Sequence, residues 1–181
     1  MTLQTDADSS ASGATIPLSG TDQGQTTLLN GAAAVARGAI RFFARNDIWL
    51  VPEVSLPNGR RCDLVGLDPK GAVTIIEIKT ARSDLLGDDK WTEYLDYCDR
   101  FYWALPPEFE HGLVDREVFQ PQRTGLVVAD SYDGELVRAA ARHALAAPRR
   151  NVMVRELARV TMRRAAQLAD PQLLHVGSAP G

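Results

Sequence analysis

Residues 60–80, RRCDLVGLDPKGAVTIIEIKT, contain two apolar runs that are joined by a turn. The second run is rich in β-branched residues, and the letters PKG fit a three-residue hairpin loop with glycine in the left-handed position. This loop pairs Asp68 with Ala72, so counting back along both strands places Asp63 opposite Glu77. We therefore predict an antiparallel hairpin in which two acidic side chains face each other.

Charged residues stand at the end of the second strand of this hairpin, although the strand is apolar on both faces. Such a strand is predicted to be central and covered on both sides. Glu77 and Lys79 share the face of Asp63, and carboxylates placed so closely repel each other unless a cation lies between them. We interpret the three residues as a divalent-metal site, an interpretation that fails if the register slips by one residue.

The chemistry of such a site follows from its ligands. Hard oxygen atoms suit Mg²⁺ or Mn²⁺, and we expect Asp63, Glu77 and the backbone carbonyl of Ile78 to bind the ion. Lys79 would orient the attacking water or offset negative charge in the transition state. The arrangement predicts metal-dependent hydrolysis of a phosphodiester bond. A surface hairpin with alternating charges is the competing interpretation, and the turn register and the apolar flanks argue against it.

The remaining elements follow from periodicity and turn signals. We predict a helix in LLNGAAAVARGAIRFFARNDI, an edge strand in WLVPEVSL, and a helix that begins in GDDKWTEYLDYCDR after the hairpin. FYWAL and TGLVVAD are predicted strands, GELVRAA is a candidate further strand, and NVMVRELARVTMRRAAQLA is the closing helix. The core order α-β-β-β-α-β predicts an α/β single domain with one mixed central sheet flanked by helices.

Composition sets the limits of this domain. Residues 1–27 are rich in Ser, Thr, Gly, Asp and Gln and are predicted to be a disordered tail, the domain occupies residues 28–170, and residues 171–181 are predicted to be a flexible tail. No segment reads as a membrane span or a secretory signal, so we expect a cytoplasmic protein without membrane contact. Cys62 and Cys98 lack CxxC spacing and are predicted to be buried free thiols.

The net charge of −3 is unevenly distributed. From residue 136 onward the chain has eight arginines against two acidic residues, and the closing helix is therefore rich in arginine. This basic third is either a phosphate-binding surface or the solvated face of an amphipathic helix.

The order of elements, with Asp63 on the second strand and the letters EIK at residues 77–79 on the third, resembles the PD-(D/E)xK nuclease superfamily. Cys62 stands where many members have proline, a position without a chemical role. The resemblance implies a restriction-endonuclease-like fold and Mg²⁺-dependent cleavage of DNA. Lys90 and Tyr94 look like the Q-xxx-Y element of RecB-type nucleases with Lys replacing Gln, which implies phosphate contact. A solvated Lys90 and a core Tyr94 are the open alternative.

The longer string VARG…NGRRCDLVGL…IIEIKTARSDLLGDDKWTEYLDYCDRFYWALP resembles the bacterial MmcB family, from about Ala33 to Asp130. This family is associated with the response to DNA damage, which implies an endonuclease that acts in DNA repair. A non-catalytic module that binds DNA or a repair partner is the alternative function. A small-molecule phosphoesterase is weaker, because no glycine-rich phosphate loop is present. The oligomeric state stays open, with a homodimer as one option.

An additional acid before the motif is common in the superfamily, and Glu53 is the candidate here. A two-residue turn at Asn58-Gly59 would pair Val54 with Asp63 and turn Glu53 away, whereas a bulge near Pro57 would bring it back. DNA phosphates are expected to contact some of a set of basic residues: Lys90, Arg60, Arg61, Arg82 and the C-terminal arginines. Three later acids are interpreted as loop or helix N-cap residues and not as ligands: Asp84, Asp88 and Asp89.

Overall fold

A computed structural model of the 181-residue chain describes residues 31–175. The predicted N-terminal tail, residues 1–27, lies outside the described residues. The same is true of the predicted C-terminal tail, except that Pro171–His175 forms a short 3₁₀ helix. No helix within the described part of the chain is both long and apolar enough to cross a membrane.

Six strands form one mixed sheet and lie side by side in chain order. The β1–β2, β2–β3 and β5–β6 pairs are antiparallel, and the β3–β4 and β4–β5 pairs are parallel. The predicted mixed sheet, the edge position of the first strand and the further strand are confirmed. The strands are β1 (Trp49–Ser55), β2 (Arg61–Leu67), β3 (Val73–Ile78), β4 (Arg100–Leu105), β5 (Gly125–Ala129) and β6 (Gly134–Arg138).

Within residues 31–175, three α-helices and several 3₁₀ helices accompany the sheet. The α-helices are α1 (Ala32–Arg45), α2 (Arg82–Gly87) and α3 (Ala147–Ala169). The 3₁₀ helices are Trp91–Tyr97, His111–Asp115 and Glu117–Phe119, besides the one at the C-terminal end. The predicted α-helix in GDDKWTEYLDYCDR is wrong in type, because this segment forms the 3₁₀ helix Trp91–Tyr97. A 3₁₀ helix has three residues per turn, which puts the buried Trp91 and Tyr94 on one side.

The helices cover the sheet on its two faces. Helix α1 packs against one face, and α3 packs with the 3₁₀ helix Trp91–Tyr97 against the other. Every residue of β3 is buried, which confirms the prediction of a central strand covered on both sides. The α1 side includes Val35, Phe43, Leu64 and Ile76, and the α3 side includes Met153, Trp91, Ile75 and Trp103.

The β2–β3 hairpin has the predicted register. The N–H of Gly71 donates to the carbonyl of Asp68 at 2.9 Å, and the N–H of Asp68 donates to the carbonyl of Ala72 at 3.1 Å. Gly71 has a φ of 75°, as the left-handed position of this loop requires. Leu64 pairs with Ile76 one step before the two acids. The predicted placement of Asp63 across from Glu77 is thereby confirmed.

The β1–β2 hairpin differs from the prediction. Val54 pairs with Cys62 and not with Asp63, so the two-residue turn is wrong. The loop has three residues, because the N–H of Leu56 donates to the carbonyl of Arg60 at 2.6 Å and Gly59 has a φ of 81°. Proline fixes the first loop position and glycine takes the left-handed one, so PNG repeats the chemistry of PKG. In this register Glu53 lies between the paired residues Pro52 and Val54, and it is across from Asp63.

Candidate active site

Two reciprocal hydrogen bonds tie the acids of β2 and β3 together. The N–H of Asp63 donates to Glu77 Oε1 at 3.2 Å, and the N–H of Ile78 donates to Asp63 Oδ2 at 2.7 Å. Each carboxylate therefore accepts a backbone N–H of the opposite strand. This arrangement holds both acids at the end of the hairpin that lies farthest from the PKG loop.

Burial makes the two negative charges costly. Glu77 is only 4% exposed, and its pKa is raised to about 8 by burial and, secondarily, by the charge of Asp63. Burial also raises the pKa of the half-buried Asp63, against the opposing effect of the hydrogen bond from Ile78. Two neighbouring carboxyl groups with raised pKa values form a site in which an additional positive charge is stabilising.

Lys79 reaches the same site but is ion-paired to another part of the chain. Its Nζ lies 2.8 Å from Asp88 Oδ2 and 3.5 Å from Asp84 Oδ1. Burial disfavours the ammonium form of Lys79, but the hydrogen bond to Asp88 and the nearby carboxylates outweigh burial and raise its pKa. Lys79 is therefore an ammonium group next to Glu77.

Of the acids interpreted as loop or helix N-cap residues, Asp88 and Asp89 lie in a loop as predicted, whereas Asp84 lies within α2 and is neither. Asp84 lies in the first turn of α2, Asp88 follows the last residue of α2, and Ala81 and Lys90 are the N-cap residues of the two helices. Asp88 Oδ1 also accepts the N–H of Lys90 at 3.2 Å. No sequence signal indicated these contacts, because the short helix α2 shows no periodicity.

Lys90 and Tyr94 line the same cleft as Lys79, a space of about 460 Å³. Tyr94 is 8% exposed, and its hydroxyl donates to the carbonyl of Arg61 at 3.1 Å. Burial, with the charge of Glu77 second, raises the pKa of Tyr94, so the hydroxyl stays neutral. Tyr94 lies on the 3₁₀ helix and Lys90 is the N-cap of that helix, so the predicted shared α-helix face is wrong.

Glu53 lies across from Asp63 but extends an exposed side chain. It has a φ of 49°, and its carbonyl accepts Arg164 Nη2 at 3.1 Å. Among residues 31–175, no hydrogen bond or ion pair connects its carboxylate with Asp63 or Lys79. A catalytic role for Glu53 therefore stays a prediction.

The donor atoms of the site fit a hard divalent cation. Within the described chain, Asp63 Oδ1 and Glu77 Oε2 accept no hydrogen bond. The other oxygen of each carboxylate, Asp63 Oδ2 or Glu77 Oε1, accepts one from a backbone N–H. Residues 31–175 contain no group of three or more His, Cys, Asp or Glu side chains that could hold a metal ion. A Mg²⁺-type ion needs only one or two carboxylates, since water, a backbone carbonyl or a substrate phosphate completes its shell.

The arginines predicted to contact phosphates fall into two groups. Arg60 forms a two-bond pair with Glu93, and Arg82 pairs with Glu110 at 2.7 Å. Four of the eight C-terminal arginines also bind protein groups: Arg138, Arg149, Arg150 and Arg164. Three others are exposed on one side of α3 at intervals of four residues: Arg155, Arg159 and Arg163.

Both cysteines are free and buried, as predicted. Burial raises the pKa of Cys62 to about 12 and also raises the pKa of Cys98. A thiol with so high a pKa carries almost no thiolate at neutral pH, which excludes either cysteine as an activated nucleophile.

Comparison with known proteins gives two matches. A family model described as "MmcB-like: DNA repair protein MmcB-like" matches residues 18–172, which include all six strands and the candidate site. A solved structure of a protein of unknown function from Silicibacter pomeroyi is similar with a TM-score of 0.72 and 38% sequence identity. The similarity covers 80% of this chain and 94% of the other chain. No curated protein matches the sequence.

Proposed function

The chain belongs to the MmcB-like family of DNA repair proteins, and from this membership we propose that it is a metal-dependent deoxyribonuclease. The observation that carries the proposal is the Asp63–Glu77 pair, locked face to face by hydrogen bonds to the backbone of the opposite strands. The six-stranded sheet with this pair at one end supports a restriction-endonuclease-like fold, and the nuclease would act as an endonuclease in DNA repair.

Each residue of the site has a proposed role. The free oxygens of Asp63 and Glu77, together with the Ile78 carbonyl, would hold Mg²⁺ or Mn²⁺. The ion supplies Lewis-acid polarisation of the scissile phosphate and lowers the pKa of the attacking water. Lys79 is buried and positively charged, so it would place a fixed cation beside the phosphate, where negative charge increases in the transition state.

Substrate would enter through the cleft that Lys79, Lys90 and Tyr94 line. Lys90 is exposed and would contact a phosphate, while Tyr94 is held by Arg61 and supports the wall of the cleft. DNA is the proposed partner because the family is one of DNA repair proteins. The exposed arginine row of α3 supports backbone contacts that do not depend on sequence.

One observation favours the alternative of a non-catalytic DNA- or partner-binding module. The Lys79 ammonium lies 2.8 Å from Asp88, an acid that takes no part in the proposed metal site. The ion pair with Asp88 therefore offsets the positive charge of Lys79. A phosphate must compete with Asp88 for Lys79 before the amine can assist cleavage. The alternative predicts DNA binding without any metal-dependent product.

The proposal is tested by incubating the purified chain with nicked, branched, single-stranded and duplex DNA, with Mg²⁺, Mn²⁺ or a chelator. We expect metal-dependent cleavage of at least one substrate, and loss of cleavage in Glu77→Ala and Lys79→Ala. Glu135→Ala changes an exposed acid on β6 and serves as the matched control with full activity expected. DNA binding without cleavage in every condition would support the non-catalytic module.

A further inference from the structure

An apolar patch begins at the end of the β2–β3 hairpin that is remote from the candidate active site. It consists of a groove of about 500 Å³ between α3 and the β1–β2 pair, together with the exposed side of α3 that continues from it. The groove is lined by Trp49, Val51, Leu67, Pro69, Val154 and Ala158, among others. Nothing in the proposed nuclease chemistry uses this surface.

Trp49 is fixed in place on this surface. Trp49 is 68% exposed, and its indole N–H donates a hydrogen bond to Asp47 Oδ1 at 3.1 Å. Asp47 has a φ of 55°, in the left-handed region, which only a few non-glycine residues adopt. An exposed indole held in one orientation has little conformational entropy to lose, and such aromatic residues are typical anchors of protein interfaces.

Helix α3 continues the patch as an uncharged stripe. The stripe residues are all exposed and follow a four-three spacing: Val154, Ala158, Thr161, Ala165 and Leu168. Met162 lies next to the stripe and is 70% exposed, and Leu168 is 85% exposed. The helix already packs Met153 and Leu157 into the core, so the stripe is a second apolar side. A four-three repeat is the pattern by which one helix packs along another.

We propose that this patch is a homodimer interface in which the α3 helices of two copies pack antiparallel about a two-fold axis. Val154 and Leu168 each lie seven residues from Thr161, so a second α3 that crosses antiparallel at Thr161 presents the same stripe residues in reverse order. Antiparallel packing brings the Leu168 end of each helix to the groove of the other copy. The contact is therefore the same for both chains, as a two-fold axis requires.

The length of α3 sets the minimum size of the patch. Helix α3 has 23 residues, so it is about 35 Å long and about 10 Å wide. Helix α3 alone therefore presents a strip of roughly 350 Å², to which Trp49 and the groove add, whereas one partner buries about 800 Å² in a standard interface.

Other occupants fit the patch less well. Strand addition at the β1 edge is hindered because Pro52 has no N–H, and Arg164 binds the carbonyls of Pro52 and Glu53. Nucleic acid is disfavoured because the stripe is uncharged and Asp47 and Asp68 line the groove.

The test is sedimentation equilibrium of the full chain over a range of concentrations up to about 100 μM. At that concentration a dimer with a dissociation constant of about 1 μM would be the main species. We expect wild type to reach twice the 19.7 kDa mass of one chain. Leu168→Glu and Trp49→Glu change exposed side chains, so each should keep the wild-type circular dichroism spectrum. Each should raise the dimer dissociation constant at least tenfold. Val118→Glu, at a residue that is 66% exposed outside the patch, should leave the constant unchanged.

Each outcome is decisive. A single-chain mass for wild type at every concentration would overturn the proposal. A wild-type dimer that Leu168→Glu and Trp49→Glu leave intact would also overturn it, because the chains would then associate through another surface. Weakening by both patch variants but not by Val118→Glu would support it.

Discussion

Lys79 Nζ lies 2.8 Å from Asp88 Oδ2, and both side chains are largely buried. Asp88→Asn removes the negative charge that compensates for the burial of the Lys79 ammonium. We therefore expect the free energy of unfolding to fall by about 1–3 kcal/mol. Asp89→Asn changes the exposed neighbour and should alter it by less than about 0.5 kcal/mol. Urea denaturation of both variants checks this. Equal stability of the two would show that Asp88 does not support Lys79.

The raised pKa of Glu77 predicts an unusual pH dependence of the metal-free protein. Its pKa is about 8 in the folded chain against 4.5 for the ordinary group, so the folded state binds more protons between these values. The contribution of Glu77 to stability is therefore full below about pH 4.5 and decreases as the pH rises towards 8.

Glu77→Gln keeps an acceptor for the Asp63 N–H without a charge. In a chelator we expect this variant to have a higher Tm than wild type at about pH 8.5 and a similar Tm at about pH 4.5. Thermal unfolding across this range, with and without Mg²⁺, checks the prediction. A Tm difference that does not change with pH would mean that Glu77 stays ionised throughout.

Asp99 is a structural acid rather than a site residue. Arg150 binds both of its oxygens, at 2.6 and 2.7 Å, and the carboxylate is fully buried. Against the effect of burial, the hydrogen bonds from Arg150 and from backbone N–H groups lower the pKa of Asp99 to about 2. Its contribution to stability is full above about pH 4 and is lost as the pH falls through about 2.

Asp99→Asn is expected to reduce the free energy of unfolding by about 3 kcal/mol, because it leaves the charge of Arg150 without its partner. Asp96→Asn breaks the exposed pair with Arg149 and should cost less than about 1 kcal/mol. Denaturant titration at neutral pH compares the two. A loss for Asp96→Asn as large as that for Asp99→Asn would refute the distinction between them.

The arginine row of α3 should bind DNA backbone. We expect Arg155→Gln, Arg159→Gln and Arg163→Gln together to weaken duplex binding and to reduce the slope of log K against log salt by about 2–3. Fluorescence anisotropy in the Glu77→Gln background measures binding without cleavage, with Arg116→Gln as an exposed control. An unchanged salt dependence would make the row a solvated helix face, the alternative that the charge pattern left open.

Much of the sheet could be predicted because its signals are local. The PKG loop fixed the register of β2 and β3, and with it the meeting of Asp63 and Glu77. The same signal, proline first and glycine third, was present in PNG at residues 57–59, where it would have given the right register for Glu53. Asn-Gly is itself a strong turn signal, and it favours a two-residue turn at the same place.

The missed features depend on contacts between distant segments. Asp88 reaches Lys79 through a six-residue helix, too short for a periodic pattern. Asp99 accepts hydrogen bonds from β3, from the segment before α3 and from α3 itself. No local sequence pattern predicts contacts among segments so far apart in the chain. The arginine spacing in α3 predicted a helix, but only the structure separates the arginines that bind protein groups from the exposed row.

Calorimetric titration with Mn²⁺ determines whether Asp63 and Glu77 hold one divalent cation between them. We expect one site per chain in wild type, with binding that tightens as the pH rises and Glu77 releases its proton. Binding should be lost in both Asp63→Asn and Glu77→Gln and retained in Glu135→Gln. No binding heat in wild type, or equal affinity in all four proteins, would show that these two carboxylates do not form a metal site.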